Sequence, residues 1–203
     1  LTGNRFGGNL FIPFSEGGDS VAFKIGDRLV YPNHGVGVVE TIQESLLQEG
    51  SPAPCYQLRL LGNNSRVMVP VGNSDRIGLR PLTRRKDVGS VFRVLENATL
   101  PPSGDWKGRY KQNLDKMRSG RLTDIADVLK NLTWVQKQKA LSFREKKMYE
   151  RARYLIVSEI AQINGLPEGE VATEVEKALD RAILKRRPVA AVAAAAAGNH
   201  RGH

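Results

Sequence analysis

From Phe23 to Leu82 the apolar positions fall in short runs: Arg28-Leu-Val-Tyr, Gly37-Val-Val-Glu-Thr-Ile, Cys55-Tyr-Gln-Leu-Arg-Leu-Leu and Arg66-Val-Met-Val. The runs are rich in β-branched and aromatic residues, which suit a pleated, half-buried surface. Pro32-Asn-His-Gly, Glu49-Gly-Ser-Pro and Gly62-Asn-Asn-Ser separate them, supplying glycine or asparagine where a tight turn needs positive φ. About five short strands with no helix between them predict a small, strongly bent barrel of SH3 or Tudor type.

After Thr83 the period becomes helical. Val88, Val91, Phe92 and Leu95 share one face of a helix by their spacing, as do Leu122, Ile125, Ala126, Leu129 and Leu132. Ser142 and Glu145 form the sequence signature of a capping box, opening a long helix whose core face is Met148, Leu155, Ile156, Ile160 and Ile163. That helix should end near Asn164-Gly165, and a last one should start around Pro167 and run toward Arg187. The expected fold is α+β: a β-domain over residues 21–82, then a compact all-α domain over residues 83–187. Residues 1–20, rich in glycine and asparagine, read as a flexible extension, and the Ala/Val run of residues 188–203 as a low-complexity tail.

Composition adds a partner class. Lys and Arg exceed Asp and Glu by 31 to 21, net +10, which points to a polyanion. The excess is not evenly spread. Residues 21–82 carry six basic and five acidic side chains, net +1, whereas residues 105–153 carry fourteen and six, net +8. The polyanion site is therefore expected in the helical half. A single cysteine, Cys55, excludes an intramolecular disulfide or a thiolate cluster and fits a reducing cytoplasm; it reads as a small buried strand residue. No apolar run reaches the roughly 18 residues of a membrane span, so no membrane association is expected.

The segment Phe23-Lys-Ile-Gly-Asp-Arg-Leu-Val-Tyr-Pro-Asn-His-Gly-Val-Gly resembles the opening of CarD/CdnL-type bacterial transcription regulators. The likeness continues through Arg66-Val-Met-Val-Pro, Ile77-Gly-Leu-Arg, Trp106-Lys-Gly-Arg-Tyr-Lys-Gln-Asn-Leu and Leu141-Ser-Phe-Arg-Glu-Lys-Lys-Met. These stretches cover roughly residues 22 to 163 in the family's order. The opening β-module alone would also fit transcription-repair coupling factors, but the helical half with its tryptophan motif separates the two. The resemblance implies a Tudor-like domain docking on the RNA polymerase β subunit. It also implies a helical domain at the upstream edge of the melted promoter, acting without catalysis or cofactor to stabilise the open complex. The protein is expected to be cytoplasmic, nucleoid-associated and monomeric.

The candidate DNA-binding residues are Trp106, Lys107, Arg109, Lys111, Lys146 and Lys147. Trp106 follows the helix-breaking Pro101-Pro102-Ser-Gly and opens a basic helix; its indole is either a wedge against a frayed base step or an ordinary core residue. By the resemblance, Trp106 works on the minor groove, Arg109 and Lys111 match DNA-contacting positions, and Lys146 and Lys147 match a basic pair near the backbone. Gly108 departs from members that carry arginine there, which leaves one phosphate contact either missing or replaced by Lys107. The alternative for each cation is a solvated helix face. Trp134, in mid-helix, reads as packing.

The candidate polymerase-binding residues are Arg66, Met68 and Pro70. Alternation turns Arg66 and Met68 to one face and Val67 and Val69 inward, and Pro70 favours an edge strand open to β-augmentation. The alternative is that Met68 fills the barrel. Some family branches carry arginine at this position, so methionine would make the contact more apolar. His34 reads as a turn residue with no triad or metal partner. A competing reading is an adaptor whose β-module binds another protein and whose helices bind RNA or nucleic acid nonspecifically. With no phosphate loop, nucleophile elbow, metal cluster or acid/base pair visible, an enzyme is not expected.

Overall fold

The structure, a computed structural model, describes residues 23–46, 52–98 and 106–186. The expected extension, the tail, the Pro101-Pro102-Ser-Gly loop and most of the Glu49-Gly-Ser-Pro turn lie outside the described residues. Five antiparallel strands form one sheet: β1 (Arg28–Tyr31), β2 (Gly35–Leu46), β3 (Pro52–Leu60), β4 (Arg66–Pro70) and β5 (Arg80–Pro81). Their order is β4-β3-β2-β1-β5, so β4 and β5 are the two edges. The expected barrel is therefore a bent sheet whose hydrogen-bond ladder stays open between β4 and β5. Its core is Phe23, Leu29, Val39, Tyr56, Leu58, Val69 and Leu79, and the Tyr56 hydroxyl accepts from the Phe23 backbone N–H.

One expectation for this region needs correction, because a helix does intervene between strands. A 3₁₀ turn at Val71–Asn73 leads into α1 (Ser74–Ile77) between β4 and β5. Its four residues are too few to show a period. It closes on Gly78, which takes the left-handed conformation at φ 80°.

The helical region contains α2 (Val88–Glu96), α3 (Trp106–Ser119), α4 (Leu122–Gln138), α5 (Phe143–Asn164) and α6 (Glu168–Arg186). The capping box is formed: the Ser142 hydroxyl accepts from the Glu145 N–H, and the Glu145 carboxylate accepts from the Ser142 N–H. Gly165 ends α5 at φ 69°. Val91, Leu95, Leu129, Leu132, Ile156, Ile160, Val171 and Val175 are buried in a second core, distinct from that of the sheet. Trp134 lies beside Asn97, Leu179, Ala182 and Ile183, where α4 meets α6 and the end of α2.

The two cores are joined by a polar clamp and an aromatic seat. Both Arg80 guanidinium Nη atoms donate to Glu159 of α5 at 2.8 Å, and the Thr83 N–H and hydroxyl donate to the same carboxylate at 2.9 and 2.8 Å. Arg80 also donates to the Gly120 carbonyl between α3 and α4. Tyr154, five residues earlier on α5, lies on two turns of the sheet, β1–β2 and β3–β4. A Cβ at Gly35 would sit 3.0 Å from its ring, and one at Gly62 only 1.8 Å from its hydroxyl. Glycine at Gly62 is thus a matter of close approach, while Gly35 also needs its φ of 99°.

Candidate functional site

Strand β4 pairs only with β3, through Cys55↔Pro70, Tyr56↔Val69, Gln57↔Met68, Leu58↔Val67 and Arg59↔Arg66. Its inward residue Val69 is buried, while Arg66 and Met68 project from the opposite face, Met68 with 44% exposure. Met68 therefore does not fill the sheet interior, and Pro70 does lie on an edge strand, where its missing N–H disturbs no central ladder. Cys55 is buried.

Sequence reading missed what holds Arg66. The register of β2 against β3 shifts between Val39 and Thr41, so Glu40 is the extra residue of a bulge. Its carboxylate accepts from Arg59 Nε at 2.7 Å and Arg66 Nε at 2.6 Å, bridging three strands on the outer face. The hydrogen bond from Arg66, with that from Arg59, holds the Glu40 carboxyl below its ordinary value. Nothing in the local sequence announces a bulge, since Val39-Glu40-Thr41 is compatible with unbroken alternation. His34 stacks on Tyr31 at 4.4 Å within the β1–β2 turn, as a turn residue would.

The second candidate surface is the basic part of the helical region. Its helix α3 has only a narrow inward face, Tyr110, Asn113, Leu114 and Met117, of which Asn113 and Met117 are buried. Ion pairs supplement that face. Arg109 Nη2 donates to Glu145 Oε1 at 3.4 Å, tying α3 to the capping box of α5, and Lys116 donates to Asp127 of α4. Burial pushes the Glu145 carboxyl up, but hydrogen bonds from Ser142 and Arg109 outweigh it and leave the group below its ordinary value. Asp127 behaves alike, with Lys116 and Lys130 outweighing its burial.

The predicted cations thus divide by position. Arg109 is mostly buried and holds α3 onto α5, a placement its spacing could not reveal because its partner lies 36 residues away. Lys111, Lys146 and Lys147 are exposed. The Lys147 ammonium lies 4.6 Å from the centre of the Phe143 ring. Trp106 is the first residue of α3, but its side chain and that of Lys107 lie outside the described residues. The contact between Arg109 and Glu145 brings the early turns of α3 and the capped end of α5 together, so Lys111, Lys146 and Lys147 belong to neighbouring helix segments. Among the described residues no three His, Cys, Asp or Glu side chains gather to hold a metal. No described helix is long and apolar enough to cross a membrane.

Comparison with known proteins agrees with this two-part arrangement. Residues 23–83 match the CarD-like/TRCF RID domain, and residues 90–176 match the CarD C-terminal domain. A Bacillus subtilis (strain 168) protein named "Putative transcription factor YdeB" is 36% identical over 152 residues, covering 73% of this chain and 97% of the relative. The β-region carries the motif of one family model and the helical region that of the other, in a single chain and in that order, and on these grounds the protein belongs to the CarD/CdnL family of transcription regulators.

Proposed function

We propose that this regulator binds the RNA polymerase β subunit with its β-domain, residues 21–82, and upstream fork DNA with its helical domain, residues 83–187, stabilising the open promoter complex. The observation that carries the polymerase half is the edge position of β4. Its outer main-chain groups are available to a partner strand, with Met68 as an apolar contact and Arg66 oriented by Glu40. Support for the DNA half comes from the exposed cations Lys111, Lys146 and Lys147, with Trp106 at the start of the adjoining helix. Contacts of this kind fall mainly on phosphate, so binding should be weakly sequence-selective and strongly salt-dependent. The mechanism is thermodynamic: a protein that binds the open complex better than the closed one shifts the equilibrium by that difference.

Open-complex lifetime, measured with cognate polymerase at two salt concentrations with and without the protein, tests this. The proposal expects a longer lifetime with the protein, more so at low salt. An unchanged lifetime together with a preference for RNA over forked DNA would leave the adaptor reading instead.

A further inference from the structure

Phe143 is the most exposed large hydrophobic side chain among the described residues, at 72%. It is the first residue of α5, and the helical period explains its exposure. Glu145, Met148 and Ala152 face the core, which turns Phe143 to the opposite side, where no described apolar side chain covers it. Its surroundings are basic: Arg144, Lys146 and Lys147 are exposed, and Lys147 holds its ammonium over the ring. The acid nearest in sequence, Glu145, is turned inward and occupied by Ser142 and Arg109. Glu150, further along the helix, is the acid that remains on the exposed side. An exposed ring among three cations matches a nucleic-acid strand, in which every phosphate accompanies a base with a flat apolar face.

We propose that Phe143 is a second aromatic DNA contact: it stacks on an unpaired base of the melted strand, while Lys147 moves from the ring to an adjacent phosphate. The proposal rests on the reading that the helical domain engages fork DNA. It specifies single-stranded DNA, because the base faces of a duplex are already stacked on one another.

The test is fluorescence anisotropy of labelled forked DNA and of fully duplex DNA of the same length, using the full chain. Wild type is compared with Phe143→Ala, Phe143→Leu, Phe143→Tyr and Trp106→Ala. Phe143→Ala should weaken fork binding at least about 5-fold, the lower range for loss of one base–aromatic stack, and leave duplex binding unchanged. Phe143→Tyr should restore the affinity and Phe143→Leu should not. Lys147→Ala should reduce the salt dependence by about one phosphate contact. Because the ring is exposed, melting temperatures should match wild type, separating a binding loss from misfolding.

Fork binding retained in Phe143→Ala while Trp106→Ala loses it would overturn the Phe143 contact and leave the fork-binding reading standing. Equal losses on fork and duplex, or rescue by leucine, would overturn stacking on an unpaired base. A wild-type protein with no preference for the fork would overturn both readings.

Discussion

Replacing Glu159 by alanine removes the carboxylate that four donors from the β-region and its connecting segment share: two from the Arg80 guanidinium and two from Thr83. Glu159 is 3% exposed and Arg80 23%, so the loss leaves a cation partly out of water without its counter-charge. Breaking a buried pair by deleting one partner costs about 3–5 kcal/mol. Arg80 keeps the Gly120 and Pro81 carbonyls and some solvent access, which places the cost near the lower end, at about 3 kcal/mol. In a chain of this size each kcal/mol lowers the melting temperature by about 2–4 °C, so Glu159→Ala should melt about 6–12 °C below wild type. Scanning calorimetry reads both this shift and its form. Because the carboxylate crosses from one core to the other, the variant should also separate into two transitions where wild type gives one. An Arg80→Ala, Glu159→Ala cycle should return a coupling energy well outside additivity. A shift below about 2 °C with one unbroken transition would refute the claim that this clamp joins the two cores.

Trp106→Ala should shorten open-complex lifetime, at a cost of about 1–3 kcal/mol if the indole meets a base step; an unchanged lifetime removes the wedge from the mechanism. Met68→Glu should leave thermal stability within about 0.5 kcal/mol, since the side chain is exposed, and abolish capture of the polymerase β subunit. For Glu145, hydrogen bonds hold the folded carboxyl below its ordinary value, so its stabilisation is present above the unfolded pKa and lost as pH falls through the folded one. The melting-temperature gap between wild type and Glu145→Gln should therefore be full at pH 7 and narrow below about pH 4.3; a gap constant down to pH 3 contradicts this assignment.

Local signals in the sequence were enough for the longer elements. Period, turn chemistry and the Ser142-to-Glu145 spacing placed the helices of the second half, because each depends on neighbours within one or two turns. The outward direction of Met68 followed from alternation in the same way. What escaped the sequence was non-local or too short. The bulge at Glu40 is defined only by its register against β3, and the one-turn helix α1 is shorter than any helical period. The burial of Arg109 depends on Glu145, 36 residues away. The joint between the cores has the same character. Arg80, Thr83, Gly120 and Glu159 look unrelated until the fold closes, and nothing in Gly35 or Gly62 alone announces the ring of Tyr154 above them.

That joint bears on how bridging could work. If one end of the molecule grips polymerase and the other touches the fork, the second contact is intramolecular, and its strength depends on how well the connection holds it in reach. A loose connection would dilute the DNA contacts and add the entropy of fixing them. A clamp from Arg80 to Glu159 beside a tyrosine seated on two glycine turns sets the relation before binding. Gly62→Ala tests this with both candidate surfaces left intact, because its Cβ would overlap the Tyr154 hydroxyl and drive the ring from its seat. Capture of the β subunit and binding to isolated fork DNA should then stay near wild type, since neither measurement needs both ends at once. Open-complex lifetime, which does, should fall toward that of Trp106→Ala. If lifetime holds while spectroscopy shows Tyr154 displaced, the connection need not be stiff, and the two surfaces act as tethered but independent contacts.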